Sequence, residues 1–169
     1  MTEALIRCEG CGALVRDIPG KPYKYTGAPP GCWEVYTQVL AREYGEYGYP
    51  QPTHRLTVDT YAVQHPGTPG RQAIQSVNSH LVSLYLIVEK QLPGKAATEA
   101  LRTILDHAGS FTWLQPPDPN GSNTVLEVAR ARTFNEHVGL VDAWARDVWS
   151  AWAQHHALIS GLAAKCLHL

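Results

Sequence analysis

The stretch from Arg71 to Lys90 constrains the fold most strongly, because its apolar residues cover so much of a helical circumference. One helical stripe contains Ile74, Val77, Leu81, Leu84 and Val88. An adjacent stripe contains Ala73, Val77, His80, Leu84 and Ile87. A helix with apolar residues on so wide a face is typical of the buried centre of a domain. We therefore expect the rest of the chain to pack around this helix.

Helical spacing of apolar residues recurs along most of the remaining chain, interrupted by proline and glycine. It predicts further helices over residues 32–44, 52–65, 96–107 and 124–132, and a last one from Thr133 to at least Ile159. No alternating run is long enough to indicate a large sheet. The fold class is therefore predicted to be mainly α. We expect a helical bundle in one domain, 1–169, with an irregular leader at 1–31 that has room for a short hairpin and a helical body at 32–169.

Charge and hydropathy exclude two classes of partner. Fourteen basic and fifteen acidic residues leave a net charge of -1, which lacks the cationic excess typical of nucleic-acid binding. The longest nearly apolar run, Leu81 to Val88, is far shorter than the ~20 residues that cross a bilayer. The start "MTEALIRCEG" also lacks the pattern of a signal peptide. We expect a soluble, cytoplasmic protein that binds neither nucleic acid nor membrane.

The motif "CEGCG" is the strongest chemical signal in the sequence. Cys8 and Cys11 have the spacing with which two thiolates bind one zinc ion from a tight turn, and Gly12 suits the positive φ of such a turn. Two alternatives remain open. The thiols could be free in a disordered leader. They could also form a redox dithiol, although the glycine and proline that follow fit poorly with the βαβ context of that motif.

Zinc requires four ligands, so two more are needed. Cys32, at the predicted start of a helix, is the preferred third ligand, and His54 or His65 is the fourth. The assigned metal set is Cys8, Cys11, Cys32 and His65.

The segment "HRLTVDTYAVQHPG" predicts a second polar centre. On one helix His54 and His65 lie roughly 16 Å apart along the axis, so they cannot share an ion. If the chain turns back at "PGTPG", His80 comes level with the region between His54 and Asp59. His54, Asp59 and His80 are therefore the candidate catalytic residues, able to bind a metal or exchange protons. The alternative is that His80 is a hydrogen-bonded core residue.

The last predicted helix carries His155 on the same apolar stripe as two tryptophans, so His155 could join this centre. The tryptophans and the small-residue tail "SGLAAKCLHL" are compatible with a homodimer.

Several separated stretches resemble one known family. They are "CEGCGA", "YTGAPPGCWEVYTQVLAREYG", "HRLTVDTYAVQHPG", "RQAIQSVNSHLVSLYLIVEK", "FTWLQPP" and "VWSAWAQHH". The chain is similar through them to an uncharacterised bacterial family, a domain of unknown function frequent in actinobacteria. The resemblance implies no activity. It implies that the following residues match motif positions of the family: Cys8, Cys11, Cys32, His54, Asp59, Tyr61, Gln64, His65 and His80.

These observations leave two main hypotheses, and whether the protein is an enzyme stays open. In the first, a zinc ion with an open position activates water for a hydrolase-like reaction, with Asp or His as proton acceptor. In the second, a structural zinc ion joins the leader to a helical body that binds a small molecule or a protein. A metal-free helical ligand-binding domain is the third alternative.

Overall fold

The central helix is α3, Arg71–Leu84, which continues as a π-helical turn over Tyr85–Glu89. In this computed structural model, which describes residues 4–168, the side chains of Val77, Leu81 and Leu84 are fully buried. The prediction of a central buried helix is confirmed. Residues 1–3 and 169, at the ends of the predicted domain, lie outside the described residues.

The described residues form a two-stranded hairpin and seven α-helices, so the mainly α prediction is confirmed. The strands are β1 (Leu5–Arg7) and β2 (Leu14–Arg16). Besides α3, the helices are α1 (Pro30–Gly45), α2 (Thr53–Gln64), α4 (Gly94–Leu105), α5 (Val125–Ala129), α6 (Phe134–Ala151) and α7 (His156–Leu167). Helix α2 packs between α3 and α6, α1 contacts α5, and α7 covers α3 and α4. None of the helices described is long and apolar enough to span a bilayer.

The leader contains a short antiparallel hairpin in which Ile6 pairs with Val15. It packs closely on the start of α1, because a Cβ atom on Gly31 would lie 2.1 Å from the carbonyl oxygen of Arg16. A second close approach occurs at Gly67, just after α2. Its φ is +67°, and a Cβ atom there would lie 1.8 Å from the carbonyl oxygen of Tyr25. Glycine at these two positions allows the leader to contact both α1 and the end of α2.

The expected continuous last helix is wrong, because the chain breaks at Trp152 between α6 and α7. The indole Nε1–H of Trp152 donates to Oδ1 of Asn120 at 2.8 Å, which ties the end of α6 to the loop that precedes α5. Just after the break, the ring of His156 stacks on Trp149 and its Nε2 donates to the Trp149 carbonyl. His155 does not join a central cluster: its Nε2 donates to the Gln115 carbonyl at 2.9 Å.

Gln64 of α2 anchors the loop before α5 to the helices through three hydrogen bonds, two of them buried. Its amide nitrogen donates to the carbonyl oxygens of Asn120 and Asn123, both at 2.8 Å. Its oxygen accepts from the indole Nε1–H of Trp144 at 2.9 Å. In the other direction, the Asn120 amide donates to the Val63 carbonyl. The amides therefore join α2, α6 and the loop with their polar groups satisfied.

We expect Gln64→Ala to lower the free energy of unfolding by about 2–3 kcal/mol, because it leaves the buried Trp144 N–H without an acceptor. Urea unfolding measures the change. The control is Gln154→Ala, which removes an exposed amide bonded to the same loop at the Gln115 carbonyl. Equal stability of the two variants would contradict the anchoring role of Gln64.

Candidate metal centre

The turn after β1 carries the first two candidate ligands, Cys8 and Cys11. The Cys8 N–H donates to the Ala13 carbonyl, and the Gly12 N–H donates to the Cys8 carbonyl, each at 2.8 Å. Gly12 has a φ of +78°, a left-handed conformation that glycine adopts without a Cβ clash. Both cysteine side chains are buried. The motif "CEGCG" thus forms the tight turn that its sequence predicts.

Cys32 and His65 come from the ends of two helices. Cys32 lies in the first turn of α1. His65 follows the last residue of α2. Its Nδ1 is 2.7 Å from the carbonyl oxygen of Tyr61. Since a carbonyl only accepts, Nδ1 carries a proton, and Nε2 is the ring nitrogen that faces the cysteines.

These four residues meet in one buried cluster, and each of them is at most 7% exposed. Nε2 of His65 is 3.4 Å from Sγ of Cys8 and 3.3 Å from Sγ of Cys32. The sulfur atoms of Cys11 and Cys32 are 3.9 Å apart, so they are not in a disulfide. All four ligand atoms lie within 4.8 Å of one another. The cluster can therefore hold a metal ion, and it brings together the set assigned from sequence.

Within the cluster, neighbouring groups shift the pKa values of Cys8, Cys11 and His65. Hydrogen bonds from Cys11 and Cys32 lower the pKa of the Cys8 thiol. Hydrogen bonds to Cys32 and Cys8 raise the pKa of Cys11. At His65, burial lowers the pKa, but hydrogen bonds to Cys32 and Cys8 outweigh burial and raise it to about 9. A cation would stabilise the thiolates and displace protons from the cluster.

Tyr61 supports two of the four ligands. Its carbonyl fixes the ring of His65, and its hydroxyl donates to Sγ of Cys32 at 3.5 Å. The Tyr61 ring also stacks on the His65 ring, with the centroids 4.0 Å apart. Burial, followed by the charge of Cys32, raises the pKa of Tyr61, so the hydroxyl keeps its proton. Residue spacing gave Tyr61 no role; the available signal was its position one helical turn before His65.

Asp59 and His80 also meet, as predicted, at a different place in the fold. Nδ1 of His80 donates to Oδ1 of Asp59 at 2.7 Å. The buried Asp59 carboxylate also accepts from Nε of Arg55 at 3.0 Å and from the hydroxyl of Ser83. Burial raises the pKa of Asp59, but the hydrogen bond from His80 and the charge of Arg55 outweigh it and hold the pKa below its usual value. Catalysis by this pair stays a prediction.

The expected convergence of His54 with Asp59 and His80 is wrong. Five residues along a helix correspond to a rotation of about 140°, so His54 and Asp59 point to different neighbours. Nδ1 of His54 donates to Glu43 of α1 at 2.7 Å. His54 is also absent from the metal cluster, so of the two histidines considered for the fourth ligand, His65 occupies that place.

Glu43 is the centre of this separate cluster and was missed from sequence. Its fully buried carboxylate accepts from His54, from Nε2 of His137 at 2.7 Å and from the hydroxyl of Thr57 at 2.6 Å. The available signal was a carboxylate four residues after Val39 on the buried face of α1. The hydrogen bonds join α1, α2 and α6.

A protein-family comparison covers most of the chain. The model of a family of unknown function, DUF5946, matches residues 6–153. The chain belongs to this family. The match confirms the resemblance to a family of unknown function, and its range includes all four residues of the metal cluster. No curated protein and no solved structure matches the chain.

We expect Tyr61→Phe to weaken metal binding about tenfold, because the hydroxyl that orients the Cys32 thiolate is lost while the ring and the carbonyl remain. Competition with a chromophoric chelator measures the affinity. The control is Tyr36→Phe, since Tyr36 stacks on Tyr61 at 3.8 Å and its hydroxyl makes no hydrogen bond within residues 4–168. Equal affinity of both variants would contradict a positioning role for the Tyr61 hydroxyl.

We expect acid to destabilise the fold through Glu43. Burial raises the pKa of this carboxyl, but hydrogen bonds from His137, His54 and Thr57 outweigh burial and hold it below the ordinary 4.5. A depressed folded-state pKa gives stability that is complete above the unfolded-state pKa and is lost as pH falls through the folded-state pKa.

Glu43→Gln should therefore reduce the slope of unfolding free energy against pH below about 4.5. Urea unfolding at a series of pH values measures the slope. The same exchange at exposed Glu99 is the control. An unchanged slope in Glu43→Gln would show that its carboxylate does not contribute.

Proposed function

We propose that the protein is a zinc-binding helical module in which Cys8, Cys11, Cys32 and His65 hold a structural zinc ion. The observation that supports this proposal most directly is the closed set of four buried ligand atoms within 4.8 Å. Three cysteines and one histidine form one of the usual ligand sets of structural zinc sites. A reducing compartment, for which we propose the cytoplasm, would keep the thiols available as ligands.

Three of the six separations between the ligand atoms are close to those of a tetrahedral zinc site. Bond lengths near 2.3 Å for sulfur and 2.0–2.1 Å for nitrogen imply sulfur atoms about 3.8 Å apart, and sulfur about 3.5 Å from nitrogen. The Cys11 and Cys32 sulfur atoms are 3.9 Å apart. Nε2 of His65 lies 3.3 and 3.4 Å from the two nearest sulfur atoms. Thiolate and imidazole ligands in this geometry favour zinc over hard cations such as magnesium.

Four protein ligands favour a structural role over hydrolysis at this ion. A catalytic zinc ion keeps a position for water, usually with three protein ligands. Here the fourth position would be filled by His65, and the cluster is buried. The ion would join the leader, the start of α1 and the end of α2. Of the two main hypotheses, this arrangement supports a non-catalytic ligand- or partner-binding module with a structural zinc ion.

We expect Cys8→Ser to lose about one equivalent of zinc per chain and several kcal/mol of unfolding free energy, because metal binding is coupled to folding of the leader. Mass spectrometry of freshly purified protein measures the metal, and limited proteolysis reports on the leader. The control is Cys166→Ser in α7, since Cys166 is buried but lies outside the cluster.

Two outcomes would contradict the proposal. Wild-type protein purified reduced and without chelator could contain no metal, which would favour a metal-free helical domain. Cys8→Ser could instead retain the full zinc content of the wild type, which would place the ion elsewhere.

A further inference from the structure

An aromatic cavity lies directly beside the metal cluster. It has a volume of about 210 Å³, and its walls include Tyr23, Lys24, Trp33, Tyr36, Tyr61 and His80. Trp33 follows the ligand Cys32 in sequence, and Tyr61 donates to Cys32. The proposed zinc ion would therefore fix two walls of this cavity, so the inference below rests on the proposed function.

Four of the residues that line the cavity form a contiguous set of aromatic rings. Tyr23 stacks on Trp33 with ring centroids 3.5 Å apart, and Tyr36 stacks on Tyr61 at 3.8 Å. Trp33 and Tyr61 meet edge to face at 6.0 Å. Tyr36 and Tyr61 are buried, whereas Tyr23 and Trp33 are partly exposed. Such walls favour a planar ring, which gains both apolar burial and ring contacts.

His80 supplies a basic nitrogen at this aromatic surface. Its Nδ1 lies 2.7 Å from Asp59 and 3.3 Å from Nη2 of Arg55. Since Arg55 only donates, the Nδ1 proton is directed to Asp59, which leaves Nε2 as the ring nitrogen available to a ligand. Nε2 makes no hydrogen bond to any residue of the described chain. The His80 side chain is 19% exposed and also borders a neighbouring groove of about 420 Å³.

Charged residues surround His80 and the cavity. The Asp59 carboxylate orients the His80 ring through the hydrogen bond to Nδ1, in the way that a buried aspartate orients a catalytic histidine. Arg55 partly compensates this carboxylate through its bonds to both oxygen atoms. Lys24 is the cationic residue on the cavity wall, and its side chain is close to the Tyr23 ring. An anion formed in the cavity would thus have a cation near it.

We propose that the aromatic cavity binds a small phenol and that His80 accepts its proton. The phenol ring packs against the tyrosine and tryptophan walls, and its O–H bond breaks as the proton passes to Nε2 of His80. The products are a phenolate and an imidazolium, so charge and atoms balance without a further reactant. Asp59 stabilises the imidazolium, and Lys24 attracts the phenolate. A ring without an acidic hydroxyl would retain only the apolar contacts.

The probe is 4-nitrophenol added to the zinc-loaded full-length protein, because its ionised form has a distinct visible absorption. We expect saturable binding with the phenolate spectrum at a pH where the free probe is mostly neutral. His80→Gln should weaken binding at least about tenfold, since an ionic hydrogen bond is lost. The control His155→Gln should bind like the wild type, because His155 contacts Gln115 instead of the cavity.

Two further measurements separate proton transfer from apolar binding and test the cavity without changing His80. 4-Nitroanisole has the same ring but no acidic proton, and we expect it to bind weakly and equally to wild type and His80→Gln. Ala62→Leu narrows the cavity, which Ala62 lines, while leaving His80 in place. It should also lose binding of 4-nitrophenol.

The proposal is overturned if wild-type protein shows no saturable phenolate signal, or if His80→Gln and Ala62→Leu both bind like the wild type. Equal affinity for 4-nitroanisole and 4-nitrophenol would overturn the role of His80 as proton acceptor. Zinc content is measured in every sample. Full zinc content without phenol binding refutes the cavity proposal alone, whereas absence of zinc from the wild type refutes the structural-zinc proposal.

Discussion

The constraint on which the structure depends is that α2 is buried although it is rich in polar residues. Nine of its twelve residues are buried, and six of these are polar: Thr53, His54, Thr57, Asp59, Thr60 and Gln64. Buried polar groups need hydrogen-bond partners, because an unpaired group costs several kcal/mol at worst. Glu43 of α1, His80 of α3 and Trp144 of α6 supply them. Hydrogen bonding the buried polar side chains of this one helix therefore fixes the positions of its neighbours. Among the fully buried side-chain nitrogen and oxygen atoms of residues 4–168, the hydroxyl oxygen of Thr60 is the exception without a hydrogen-bond partner.

The metal cluster could be assigned from sequence because two of its ligands are close together in the chain. Two cysteines three positions apart and a following glycine specify a turn, and the coordination number of zinc then requires two more ligands. His54 and His65 were both available. Helix geometry showed that they could not act together, and the fold separates them into different clusters. What the sequence could not show was the partner of His54, because Glu43 reaches it only when α1 packs beside α2.

The helices were predictable to within a few residues where proline or glycine ends them, as at Pro66 after α2. The break at Trp152 has no such signal, since the apolar spacing continues from α6 into α7. It depends on a long-range hydrogen bond from Trp152 to Asn120 and on the packing of α7 over α3 and α4. Periodicity measures which face of a helix is apolar, and that quantity does not change at a bend whose cause lies in another segment.

The metal cluster and the aromatic cavity are built partly from consecutive residues of the chain, so a displacement in one also moves the other. Cys32 points into the cluster while Trp33, the next residue, lines the cavity. Tyr61 contacts Cys32 and His65 on one side and forms a cavity wall on the other. A closely packed interior transmits small displacements instead of absorbing them. A metal ion that draws Cys32 and His65 together would therefore also set the separation of the Trp33 and Tyr61 rings. An ion with no chemical role would in this way determine whether a planar ligand fits.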